Sequence, residues 1–396
     1  MPTPFYDAND GDPAFLLIND GKGHFEDATE ASGLGGKRRR RVYSASFVDV
    51  DEDGDLDLVT ASDFAGIDIF TNDGRGRFRD VTETRIDESH CFGMSLTFGD
   101  YDLNGKFDIF MSGIGSTTAR RLHDLGLNRD GFERYSEMRQ LMGYGNRMYL
   151  NQGENFRQPD FKDQVARTGW AWGTSTFDFD NDGDGDLYIA NGHVSGETVK
   201  DYCTRFWCHD IYTGTENENE KIALLFDQEF DAMESWNGFE HNALLMNESG
   251  RGFLNVAFLM GVAFEFDSRS VVSADFDQDG RVDLLVVEDN ARTRDQIFHM
   301  LKNTWLEGGH WVTVQLRGRP RCSPLGAVVV VQSGATQYVK PIVAGDSYSS
   351  QHPTFAHFGL GDAEEVENIE VRWPNGTTSR MERPKTDQIH VMVPPE

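Results

Sequence analysis

The chain is poor in several things, and most of these shortages exclude something. Cysteine is scarce, and four in 396 residues do not settle whether the chain is cytoplasmic or exported. No apolar run approaches membrane-spanning length, so no membrane span is expected in this sequence. Basic residues are scarce: 37 Lys and Arg stand against 66 Asp and Glu, a formal net charge of −29. That excess argues against nucleic acid as a partner, because phosphate would be repelled. There is no nucleophile elbow, no phosphate-binding glycine loop and no HExxH pair.

The first residues, "MPTPFYDANDGDPAF", show neither a charged n-region nor an apolar h-region, so no signal peptide is expected. As given, the chain reads as cytoplasmic, or as extracellular or periplasmic if a leader has been removed. Cys91 and Cys322 are isolated, whereas Cys203 and Cys208 lie close together in "DYCTRFWCHD". That pair leaves open a bridge, two reduced thiols, or a metal site with His209. The sequons at Asn247 and Asn375 matter only outside the cytoplasm. The basic run "KRRRR" at 37–41 is expected to be a solvated loop.

What the chain has in quantity is aspartate at fixed spacing. "DVDEDGDLD" at 49–57 gathers carboxylates that repel one another unless a cation or open water relieves them. Oxygens at positions 1, 3, 5, 7 and 9, with glycine after position 5, can wrap one Ca²⁺. Here these are Asp49, Asp51, Asp53, Asp55 and Asp57. The loop returns three times. "DYDLNGKFD" offers Asp100, Asp102, Asn104, Lys106 and Asp108. "DFDNDGDGD" offers Asp178, Asp180, Asp182, Asp184 and Asp186. "DFDQDGRVD" offers Asp275, Asp277, Asp279, Arg281 and Asp283. Position 7 normally gives its backbone carbonyl, which explains why Lys106 and Arg281 can stand there. About four Ca²⁺ ions are therefore expected, one per loop. The flanks are short, β-branched and aromatic, so the loops close β-hairpins instead of joining helices.

A second signature follows three of the loops: apolar strand, Asn, glycine turn, aromatic. It reads "IDIFTNDGRGRF" at 67–78, "NRMYLNQGENF" at 146–156 and "NALLMNESGRGF" at 242–253. "AFLLINDGKGHF" at 14–25 is a further copy without an acidic loop before it. Four strands in roughly forty residues make one propeller blade. The expectation is an all-β protein: a β-propeller of about five blades, or seven if some repeats have decayed beyond recognition. The ring could close by pairing its two partial ends.

Five residues before each loop stand Ser44, Ser95, Gly173 and Ser270, small side chains suited to crowding around an axis. Tyr43, Met94, Trp172 and Arg269 come next, then Arg41, Phe92, Trp170 and Asp267. They are expected to ring a channel mouth opposite the acidic loops. Two inserts, about 113–145 and 192–241, should lie on that same face. Both carry helical stripes: Phe132, Tyr135, Met138 and Leu141 in one, Ile222, Leu225, Phe226, Phe230 and Met233 in the other. The inserts also gather candidate proton-transfer and binding groups: His193, Tyr202, Arg205, His209, Asp210 and Tyr212, with Arg120, His123 and His241. Trp170, Trp172 and Trp207 could line an apolar pocket there.

From residue 306 the acidic repeats stop, and 306–396 read as a small sandwich-like β domain after a propeller at 1–305. "GHWVTVQLRG", "PLGAVVVVQSG", "VAGDSYSSQHP" and "HFGLGDAEEVENIEVRWPNG" resemble the ASPIC/UnbV domain. The repeats before them resemble the FG-GAP/VCBS type. The pairing is similar to the acidic cartilage protein (CRTAC-like) family. That resemblance implies a Ca²⁺-loaded propeller, extracellular or encoded among secondary-metabolism genes, and supplies no agreed catalytic residues. The expected role is a module binding a protein or small molecule through the insert-covered face. The alternative is a Ca²⁺-stabilised enzyme of natural-product biosynthesis with its site at the channel mouth.

Overall fold

The computed structural model describes residues 2 and 4–396, except 129, 205, 208–232, 291, 292 and 294. Three antiparallel four-stranded sheets follow one another along the chain, each pairing its strands in sequence order. The first comprises Arg41–Val48, Asp57–Asp63, Gly66–Asn72 and Phe78–Asp80. The second comprises Gly93–Gly99, Asp108–Gly113, Arg147–Asn151 and Phe156–Arg157. The third comprises Ala171–Phe177, Asp186–Asn191, Ala243–Asn247 and Phe253–Asn255. A fourth sheet has three strands, Ser268–Ala274, Asp283–Asn290 and Asp295–Leu301. Each meander is a propeller blade, and the inner strands of consecutive blades touch in turn.

A separate core fills each space between blades. Val59, Ile69, Leu96 and Ile109 pack between the first and second. Phe110, Met148, Leu187 and Leu245 pack between the second and third. Tyr188, Leu244, Val271 and Val286 pack between the third and fourth. Each such side chain contributes about 1.5–3 kcal/mol of burial.

The ring does not close as expected. The N-terminal half unit, Leu17–Asn19 with Phe25–Asp27, forms a two-stranded sheet of its own and does not pair with the last blade. Hydrogen bonds and charge hold the segment that follows it against the first blade instead. Phe78 N donates to Ser32 O at 2.7 Å. Lys37 reaches Asp68 at 2.5 Å and Asp80 at 2.6 Å. The basic run is thus not a solvated loop: Arg38 pairs with Glu30, Arg40 with Asp68 and Arg41 with Asp10.

The tail forms two sheets around one core. Phe355–Gly361, His310–Leu316 and Gln388–Met392 make the first, with His310–Leu316 and Gln388–Met392 parallel. Thr336–Pro341, Val328–Ser333, Asn368–Arg372 and Thr378–Glu382 make the second. Alternate residues of both, such as Val312, Val314, Phe358, Val329, Val331 and Ile369, meet inside.

Residues 343–353, from the tail, thread the propeller axis. Val343 joins the core of the first two blades. Ser44 Oγ donates to Gly345 O at 2.5 Å, Ser347 N to Leu96 O at 2.7 Å and Ser270 Oγ to Tyr348 O at 2.7 Å. A Cβ at Gly173 would come within 3.1 Å of Ser347 Oγ. The small residues on the inner strands therefore make room for this segment, not only for one another. No described helix is long and apolar enough to cross a membrane.

Candidate functional site

The four acidic loops share one geometry. The position-1 aspartate caps the loop with both oxygens. Asp49 accepts from Asp53 N and Gly54 N, and Asp178 from Asp182 N and Gly183 N. Asp100 and Asp275 do the same in their loops. Position 4 is left-handed in every loop: Glu52, Leu103, Asn181 and Gln278 have φ of 60°, 58°, 58° and 61°. Position 6 is always a glycine, with φ from 82° at Gly105 to 99° at Gly183, where a side chain would be strained.

The position-9 aspartate ties three strands together. Asp57 accepts from Val50 N at 3.0 Å and from Asn72 N at 2.7 Å. Asp108, Asp186 and Asp283 repeat this with Asn151, Asn247 and Asn303. Each of these asparagines also donates its side-chain amide to a backbone carbonyl, as Asn72 does to Leu56 O. The repeated Asn of the sequence thus has a structural cause that its spacing alone did not disclose.

In every loop at least three carboxylates bring an oxygen within 4.8 Å of one another. They are Asp49, Asp51 and Asp53; Asp100, Asp102 and Asp108; Asp178, Asp180 and Asp186; Asp275, Asp277 and Asp279. Three buried loop oxygens, Asp51 Oδ1, Asp180 Oδ1 and Asp184 Oδ1, have no hydrogen-bond partner. Orphaned acceptors crowded with like charge fit a hard, oxygen-seeking cation. Burial, followed by neighbouring carboxylates, pushes Asp180 up to about 6 and Asp184 to about 7. Burial likewise pushes Asp57 up to about 7 and Asp100 to about 6. Ca²⁺ at these loops would neutralise charge that the chain otherwise carries unrelieved. Loops one and four depart from this pattern: Arg85 pairs with Asp51 at 3.1 Å, Arg281 contacts Asp279, and Lys302 contacts Asp277 and Asp279.

The tail covers all four loops. Gly326 faces Leu56, Gln337 faces Gly105, Tyr338 lies on Gly183 and the Trp311 indole on Gly280. Asn181, inside loop three, accepts at Oδ1 from His357 Nε2 across 2.8 Å, which fixes the proton of that imidazole on Nε2.

The opposite face carries the inserts. Their described parts include the helices Thr117–Asp124 and Glu133–Met142, with Met138 and Met142 buried. Tyr43, Trp172 and Arg269 do gather at the mouth, with Arg269 over the Trp172 ring at 4.6 Å. The mouth is filled, however. Tyr348, from the threaded segment, packs on Trp172 at 5.0 Å. Phe5, Phe92, Met94, Trp207 and the insert helices complete one aromatic core. The expected apolar pocket between Trp170, Trp172 and Trp207 is therefore a packed cluster.

His193 stacks on Trp170 at 4.2 Å and lies 5.6 Å from Trp172. Burial, with Arg269 nearby, pushes its imidazole down to about 3, so it is neutral near pH 7. His123 lies in the last turn of the helix Thr117–Asp124. His241 pairs with Glu265 at 2.8 Å. Arg205, His209, Asp210, Tyr212 and Cys208 lie outside the described residues, as does most of the second helical stripe.

Between the inserts is a polar pocket of about 350 Å³, lined by Thr118, Arg120, Arg167, Asp201, Cys203 and Glu240 among others. Sequence reasoning missed Glu240. Its carboxylate accepts from Trp170 N at 2.5 Å and from Asn237 Nδ2 at 2.9 Å. Burial pushes it up to about 7. The neighbouring His241 in "FEHN" was the available signal.

Fold and site together define a β-propeller with acidic, metal-type hairpin loops, joined to a C-terminal pair of β-sheets. Comparison with known proteins agrees. The FG-GAP-like repeat family matches residues 49–111, and the ASPIC and UnbV family matches 319–396. Cartilage acidic protein 1 of Mus musculus and of Homo sapiens is 32% identical to this chain over 121 residues. The Xenopus tropicalis protein is 33% identical over the same length. The matched stretch is 29% of this chain and 18% of each relative's length.

Proposed function

We propose that this protein is a Ca²⁺-binding propeller acting as a binding module through its insert-covered face. The observation that carries the metal reading is the fourfold convergence of carboxylates with orphaned oxygens in two of the loops. The ions would sit between the propeller and the tail, so Ca²⁺ would fasten the two as well as neutralise charge. The pocket between the inserts, with Arg120, Arg167 and Glu240 on its wall, is the place for a ligand. Thermal unfolding in Ca²⁺, Mg²⁺ and EDTA tests the metal reading. Binding to the folded state raises stability by mass action, and Mg²⁺ resists such flexible, high-coordination loops. Ca²⁺ should therefore raise Tm well above EDTA and Mg²⁺ should not; identical curves in Ca²⁺ and EDTA would refute it.

A second reading, an enzyme such as a natural-product tailoring catalyst, is favoured by Glu240, a carboxyl titrating near neutral pH in a pocket. His209, Asp210, Arg205 and Tyr212 belong to the same insert and remain candidates for that reading. Under it, Glu240→Gln should abolish turnover of a substrate found by screening while leaving Ca²⁺ binding intact. Unchanged turnover would remove Glu240 from the chemistry.

A further inference from the structure

A second cavity, of about 120 Å³, lies between the propeller axis and the tail. Its wall includes Thr97, Thr176 and Ser273 from the inner strands, and Lys340, Asp346 and His352 from the tail. Two of its charged groups are short of direct hydrogen-bond partners. Lys340 is ringed by protein, yet its Nζ has one acceptor, Thr176 O, at a long 3.5 Å. No described carboxylate lies within the 4.0 Å of an ion pair from it. An ammonium offers three donors, so this one is left largely unsatisfied.

Asp346 is the other group. Its side chain is 9% exposed, and His352 Nδ1 stands 2.8 Å from Oδ2. Oδ1 is buried with no partner. His352 cannot serve it, because Nδ1 is engaged with Oδ2 and Nε2 lies 2.8 Å from Ser175 Oγ. Ser175 in turn donates to Ser273 Oγ at 2.7 Å. The Asp346–His352 pair is thus anchored to the third and fourth blades, with one oxygen to spare. A half-buried cation short of acceptors and a buried carboxylate short of a donor line the same space. Either alone is costly, and each such group calls for an occupant. Water could fill the cavity with on the order of ten molecules. Asp346 and Asp178 act on Lys340 as countercharges without an ion-pair contact, so its ammonium still lacks a close anionic acceptor.

We propose that this cavity binds a small carboxylate with a hydrogen-bond donor on the adjacent carbon, that is, a 2-hydroxy or 2-amino acid. The carboxylate meets Lys340, and the hydroxyl or ammonium donates to Asp346 Oδ1. A plain carboxylate satisfies only the first and brings negative charge toward the second. The site is independent of the insert face and stands or falls without it. The exposed Ile389, 38% accessible, lines the cavity and gives it a route to the surface.

Saturation-transfer NMR on the full chain in Ca²⁺ buffer, with L-lactate, L-alanine and propionate as probes, tests this. L-lactate or L-alanine should bind at least tenfold more tightly than propionate. Lys340→Met, similar in length, should abolish binding while the circular dichroism spectrum and cooperative thermal unfolding stay as in the wild type, showing that the fold is intact. Asp346→Asn should erase the preference over propionate. If neither lactate nor alanine binds, or if both bind Lys340→Met as well as the wild type, the cavity holds only water and the proposal is wrong.

Discussion

Loop three, residues 178–186, and loop four, residues 275–283, share spacing, capping and backbone course but differ in what faces their carboxylates. In loop three no described cation pairs with an aspartate. Asp178 and Asp186 are buried and pushed well above the usual carboxylate range, by burial first and by neighbouring aspartates second. Two oxygens, on Asp180 and Asp184, are orphaned. In loop four Arg281 and Lys302 already sit on Asp279 and Asp277. The hydrogen bond from Lys302 holds Asp277 below its ordinary value. The same nine-residue spacing therefore gathers carboxylates in both places, and their neighbours decide how much a cation from outside would relieve. Loop three leaves its carboxylates without a described cationic partner, whereas loop four carries part of its own relief.

The largest expected effect follows from Asp178→Ala. It removes two charge-assisted bonds, to Asp182 N and Gly183 N, in a fully enclosed site. At about 1.5–3 kcal/mol each, less relaxation, the loss should be about 2–4 kcal/mol in Ca²⁺ buffer. Asp275→Ala, in the more open loop with its own cations, should lose about half of that or less. Chemical denaturation of the two variants checks the order; equal losses would break the comparison.

A pH series comes next. Asp57 and Asp184, raised to about 7, and Asp100 and Asp180, raised to about 6, hold protons more tightly folded than unfolded. The penalty for ionising them in the folded chain is absent at low pH and grows between their unfolded and folded values. Stability of the EDTA-treated protein should therefore fall as pH rises from about 4 to about 7. Saturating Ca²⁺ should flatten or reverse that slope. A metal-free protein whose stability is level or rises across this window would contradict the assignment.

The smallest effect is expected from Lys302→Ala. Exposed ion pairs are weak, so freeing Asp277 should raise Ca²⁺ affinity at loop four only about two- to fivefold. Weakened binding there would mean that Lys302 organises the loop instead of competing with the ion.

Local features were the legible ones. The acidic hairpins, the repeat, the positions of the inserts and the β tail all followed from spacing within about ten residues, because hairpin loops and strand alternation are local constraints. What escaped depended on distant pairings. Ser44 meets Gly345 from 301 positions away, and nothing in either neighbourhood announces it. The same threading filled the mouth with Tyr348 and turned the expected Trp172 pocket into core. Lys302, some 25 residues beyond Asp277, meets it only because the fourth blade folds back. Glu240 stood out only once Trp170 and Asn237 enclosed it.

The most direct test of the account is a calorimetric Ca²⁺ titration of the EDTA-stripped chain, with Asp178→Ala and Asp275→Ala beside it. The account predicts about four sites, with the loop-three variant losing a tight one and the loop-four variant losing the weakest. A stripped, folded chain that takes up no Ca²⁺, or variants that both leave the titration unchanged, would contradict it.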